Sequence, residues 1–128
     1  MELWVRQDVN DPNGESFIAG HGVDGNVGET FRLSTGSFSN LFVSISGSDF
    51  FRPASLTLNQ LHHLAVTVAG GMVTLNLDGA AVGSQAMTFN TLTDHFYIGR
   101  FGAAFNDQQF LQRRVDEVTV YNRERDAE

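Results

Sequence analysis

The chain has 128 residues and a formal net charge of −7, with 41% of residues hydrophobic and 18% charged. That length makes a single domain spanning 1–128, able to bury roughly two thirds of its unfolded surface without disulfides or metal, and its hydrophobic content excludes a disordered chain. Eight bases, all of them arginine, stand against 15 acids without forming a basic cluster, which argues against nucleic acid and anionic membrane as partners.

Strand signals run through the chain in short segments separated by turn residues. Leu3 and Val5 alternate with Glu2, Trp4 and Arg6, the period of a half-buried strand. No signal peptide is read in this opening segment, no apolar run approaches the 18 residues of a membrane span, and cysteine is absent. Positions 16–20 and 30–33 read as strands around a loop, 21–29, that carries Gly22, Gly25 and Gly28. Leu41, Val43 and Ile45 alternate with Phe42, Ser44 and Ser46.

The clearest block is 61–86. Leu64, Val66 and Val68 share one face of a strand, Gly70-Gly71 supplies a two-residue turn, and Val73, Leu75 and Leu77 share one face of the next strand. Asp78-Gly79 suits a type I′ turn, because both residues tolerate positive φ, and 80–84 returns as a third strand of a meander. Positions 96–99 and 115–121 complete the series, and the polar end, 122–128, frays or begins a helical turn. Near ten strands with no long helix predict an antiparallel two-sheet sandwich. Its buried faces are expected to include Val5, Val43, Ile45, Leu64, Val66, Val68, Val73, Leu75, Leu77, Ile98, Val118 and Val120.

The run Leu61-His62-His63-Leu64-Ala65-Val66-Thr67, the Gly70-Gly71 turn and the strand ending in Leu77-Asp78-Gly79 resemble the laminin-G-like jelly rolls of the concanavalin-A-like lectin/glucanase superfamily. Tyr97-Ile98-Gly99-Arg100, Val115-Asp116-Glu117-Val118 with Tyr121-Asn122-Arg123, and Glu2-Leu3-Trp4-Val5-Arg6 are similar to further segments of that family, in the same order. Leu61 stands where the family usually has tryptophan, and Arg113 where it usually has glycine. The resemblance implies an all-β jelly roll, a surface or extracellular setting and a lectin-like role. Family members usually carry a leading edge strand before the segment that resembles Glu2–Arg6, so the resemblance implies a compact variant, an excised fragment or a protomer that borrows a strand from a neighbour; a bare sheet edge would favour a homo-oligomer.

Glycosidases need two carboxylates converging on the sugar bond, and the glucanases of this group resemble one another in a Glu-x-Asp-x-x-Glu strand that does not occur here. Asp116 and Glu117 are adjacent, so on a regular strand they point to opposite faces; Asp116 reads as an acceptor for backbone amides. His62 and His63 diverge for the same reason, His21 and His95 are isolated, and no Gly-x-Ser-x-Gly elbow accompanies them. No catalytic residues are assigned, and the chain is read as a nonenzyme. Asp24, Asn26 and Glu29 place three oxygen donors in the 21–29 loop, and Asn106 and Asp107 add two more in the 102–109 loop; together they are the candidate calcium ligands. Aromatic rings take the C–H faces of sugars, and Phe50, Phe51, Arg100, Phe101 and Phe105 are the candidate ligand-binding residues because they sit at turns and loops. The expected function is recognition of a glycan, or else of a protein, without catalysis; the alternative is a structural or assembly domain.

Overall fold

In the computed structural model, which describes residues 1–9, 15–22, 30–36, 40–45, 49–88, 96–99 and 113–121, the chain forms ten strands and, among those residues, no helix. They are β1 (Glu2–Gln7), β2 (Glu15–Gly22), β3 (Thr30–Gly36), β4 (Asn40–Ile45), β5 (Asp49–Ser55), β6 (Leu61–Ala69), β7 (Met72–Leu77), β8 (Ala80–Ala86), β9 (Phe96–Ile98) and β10 (Arg113–Thr119). All pairings are antiparallel. One five-stranded sheet has the order β10-β1-β6-β7-β8 and the other β5-β4-β3-β2-β9, the expected all-β jelly-roll sandwich.

Turn chemistry sets the register of the meander. Gly70 and Gly71 have φ of 55° and 78°, and Asp78 and Gly79 have 52° and 83°, so both two-residue turns adopt the left-handed pair whose twist matches the flanking strands. Val66 therefore lies opposite Leu75, and Val68 opposite Val73. Leu3, Val5, Leu64, Val66, Val73 and Leu75 from this sheet meet Ile18, Ala19 and Leu33 from the other, and all of them are buried.

Three residues expected inside are exposed: Val68 at 47%, Ile98 at 49% and Val120 at 60%. Val68 sits beside the hairpin tip, two residues before Gly70, although its cross-strand partner Val73 is buried; β9 is outermost in its sheet; Val120 follows the last residue of β10. Leu77 and Val118 are partly buried against the core, while the side chains of Val43 and Ile45 lie outside the described residues. β5 gave no clear signal, because Phe50-Phe51-Arg52-Pro53 does not alternate and proline removes an amide donor. Proline is tolerated there because β5 is outermost in its sheet.

Two local departures from regular strands matter below. On β10 one residue more than on β1 is accommodated between the pairs Trp4–Asp116 and Glu2–Thr119, and Glu117 takes a φ of 50°, a β-bulge. On β2, Ser16, Phe17, Ile18, Ala19 and Gly20 are all buried, so both faces of this strand are covered.

Candidate functional site

The two adjacent histidines diverge as strand geometry requires, and each does something different. His62 turns inward and is 4% exposed. Its Nε2 accepts the Thr57 amide at 3.1 Å, so the ring carries its proton on Nδ1 and donates it to Asp78 Oδ2 at 2.7 Å. Asp78 Oδ1 accepts the His63 amide at 2.8 Å, and the Asp78 amide donates to the His63 carbonyl at 2.8 Å. Burial pushes the Asp78 carboxyl up, but the bonds from the His62 ring and the His63 amide outweigh it and hold it below the usual carboxylate value. Because the Thr57 amide occupies Nε2, His62 has no nitrogen free to act as a base. This cluster ties the β5–β6 connection and the β7–β8 turn to β6.

The second cluster lies on the outward face of the same sheet. Trp4 on β1 stands opposite His63 on β6 and Asp116 on β10. The Trp4 and His63 ring centroids are 5.0 Å apart with planes tilted by 54°. Tyr121 donates to Glu2 Oε1 at 2.6 Å, and Glu2 Oε2 lies 3.8 Å from His63 Nε2. Further along the face Asn76 stands opposite Ala65 and Thr74 opposite Thr67, and the Thr74 and Ser84 hydroxyls bond at 2.7 Å. A half-buried tryptophan is thus flanked by carboxylates, with amide and hydroxyl groups further along the same face, the chemistry that takes one face of a sugar ring and its hydroxyls. The alternation of Glu2, Trp4 and Arg6 against Leu3 and Val5 puts Trp4 on this face; its pairing with His63 depends on a β1–β6 contact that local pattern does not carry.

Most of the residues expected to form the site are not among the described ones. Asp24, Asn26, Glu29, Arg100, Phe101, Phe105, Asn106 and Asp107 lie outside the described residues, as does His95. Phe50 and Phe51, expected beside a turn, belong to β5, with Phe50 opposite Ser44 and Phe51 opposite Val43; nothing is described of their side chains. Gly22 and Thr30, which flank 23–29, lie at the end of β2 next to Phe96, whereas Gly99 donates its amide to Ile18 toward the other end. Among the described residues no three histidine, aspartate or glutamate side chains form a metal-binding group. Asp116 and Glu117 do not alternate as expected: the bulge leaves both exposed, and Asp116 Oδ1 accepts the Glu117 amide at 2.8 Å.

The fold has solved counterparts. Trypanosoma rangeli sialidase superposes with a TM-score of 0.67 at 21% identity, over 90% of this chain and 19% of the sialidase. A candidate carbohydrate-binding protein of Bacteroides ovatus superposes with a TM-score of 0.65 at 21% identity, over 89% of this chain and 35% of that one. The chain thus spans about a fifth of the first protein and about a third of the second, and at this identity the likeness is one of fold. No curated protein matches the chain. The family model described as the concanavalin A-like lectin/glucanases superfamily, in its laminin-G-like form, matches residues 1–128, and the chain belongs to that family.

Proposed function

We propose that the domain is a noncatalytic module that recognises carbohydrate. The observation that carries this reading is the Trp4–His63 ring pair beside Glu2, with Asn76, Thr67 and Thr74 continuing along the same outward sheet face. The Bacteroides ovatus neighbour, a candidate carbohydrate-binding protein, supports the ligand class. The noncatalytic part is supported by Asp116, which bonds to its own neighbour's amide, and by His62, whose two nitrogens are both engaged. Phe50, Phe51, Arg100, Phe101 and Phe105 are proposed as further ligand contacts. Calcium is proposed at Asp24, Asn26, Glu29, Asn106 and Asp107, which are all oxygen donors and so suit a hard cation. A glycan array read with and without calcium tests this function. Binding to at least one glycan is expected; silence across the array would overturn it and leave a protein ligand.

A second reading, an assembly domain, is favoured by one observation. Phe96 and Ile98 on β9 and Val120 after β10 are exposed apolar side chains at the outermost strands of their sheets among the described residues. A dimer or trimer that survives dilution in light scattering supports this reading, and a monomer at every concentration rejects it.

A further inference from the structure

We propose that the outward face of β1, β6 and β7 binds neutral glycans, with one pyranose ring stacked on Trp4. The proposal rests on the carbohydrate reading above and adds the place and the charge class.

Shape supports the place. From Trp4 and His63 the face runs through Ala65 and Asn76 to Thr67 and Thr74, with Ser84 alongside. At about 3.3 Å per residue, His63 to Thr67 spans about 13 Å. Among the described residues the side chains beyond His63 along that run, Ala65, Asn76, Thr67 and Thr74, are short, so the row itself stays low beside the indole. Hydroxyl and amide groups follow at strand spacing, each able to donate and accept, as sugar hydroxyls require. A single platform residue would hold one sugar unit; this row has room for a chain of them.

Charge supports the class. On its own strand Trp4 is flanked on this face by the Glu2 carboxylate and by Arg6, and the Asp116 carboxylate stands across from it. Carboxylates accept sugar hydroxyls and repel the acid group of a sialic or uronic acid. Recognition of such an acid calls for arginine in fork geometry. Of the arginines on this face, Arg6 is bound to Asp8 at 2.5 Å, and Arg114 stands opposite Arg6, one step further from the polar row. The net charge of −7 acts in the same direction. The likeness to a sialidase in fold therefore does not extend, at this face, to the charge of the ligand.

Trp4 is the chain's only tryptophan, so its emission reports on this face alone. The test is calorimetry and tryptophan emission on the full chain. The neutral probes are cellohexaose, xylohexaose, mannohexaose and chitohexaose in its N-acetylated form; the anionic probes are 3′-sialyllactose and oligogalacturonate. At least one neutral probe is expected to bind and shift the emission, while the anionic probes leave it unchanged. Trp4→Ala should weaken that binding by about tenfold or more, with His63→Ala as the milder second variant and thermal melts checking that each folds. Heat of binding without an emission change, and unaltered in Trp4→Ala, would overturn this site while leaving carbohydrate binding in place. Preference for an anionic probe would overturn the charge class. No heat from any probe would overturn the site, and silence on the glycan array as well would remove the function with it.

Discussion

Asp78 does three jobs with one side chain and its own amide. Its φ of 52° needs a residue that tolerates the left-handed region, its carboxylate bonds to the His62 ring and the His63 amide, and its amide bonds back to the His63 carbonyl. Asparagine keeps the turn but has only one acceptor oxygen, so Asp78→Asn leaves either the His62 ring or the His63 amide facing an NH2 group. A loss of about 1 kcal/mol is expected, read as a lower urea midpoint at pH 7. The pH dependence has a definite sign. The folded carboxyl titrates below its unfolded value, so its contribution is full above about pH 4 and is lost as the pH falls through the folded value. The parent should lose stability more steeply than Asp78→Asn between pH 5 and pH 3; parallel profiles would show that Asp78 is not the group responsible. The adjacency of His62 and His63 already implied that they part company. Which one would be clasped and which would face a tryptophan depends on Thr57, Asp78 and Trp4, all outside β6, and adjacency says nothing of those.

β2 shows why pattern reading succeeds in one sheet and thins out in the other. The meander from β6 to β8 is half-solvated, so its alternation and its Gly-Gly and Asp-Gly turns are plain. β2 is covered on both faces, with Phe17 at 1% exposed and Ile18 and Ala19 at 0%, and an extra residue near Ile18 shifts its register against β3. A strand buried on both sides has no reason to alternate. Such a strand also tolerates no added bulk where a neighbour's backbone approaches. A Cβ at Gly20 would press on the Phe31 carbonyl oxygen and crowd the Arg32 Cα, both of them backbone atoms that cannot swing aside. Gly20→Ala should therefore cost about 1–3 kcal/mol as an overpacked site, an effect absent if its melting temperature equals the parent's. On the meander, Leu75 is 0% exposed, and Leu75→Ala should cost about 2–4 kcal/mol as a cavity. A urea midpoint near the parent's would mean that the inward face of β7 is misassigned.

Across the molecule, the two sheets place the core between them and turn the other face of β10-β1-β6-β7-β8, which carries the proposed glycan site, outward. The fold was legible because its alternation and turns are local and its segments occur in the order of a known family. The proposed loop site rests on composition alone: glycines with oxygen donors at 24, 26 and 29, and two more at 106 and 107. If both sets hold one calcium ion, the ion joins the β2–β3 connection to the β9–β10 connection, which Gly22 and Gly99 approach from different points along β2. Only the folded chain brings such distant donors together, so the ion stabilises the native state by mass action, by about 2.7 kcal/mol at a free concentration a hundred times its dissociation constant. For a domain of this size that is a rise of several degrees in melting temperature. Scans in millimolar calcium and in chelator should differ by that much, and Asp24→Asn together with Asp107→Asn should abolish the difference. Magnesium should substitute poorly, since it demands near-ideal octahedral geometry and gives up its water reluctantly. Identical melting temperatures in calcium and in chelator would reject the ion while leaving the proposal for the Trp4 face, which is argued without these donors, as it stands.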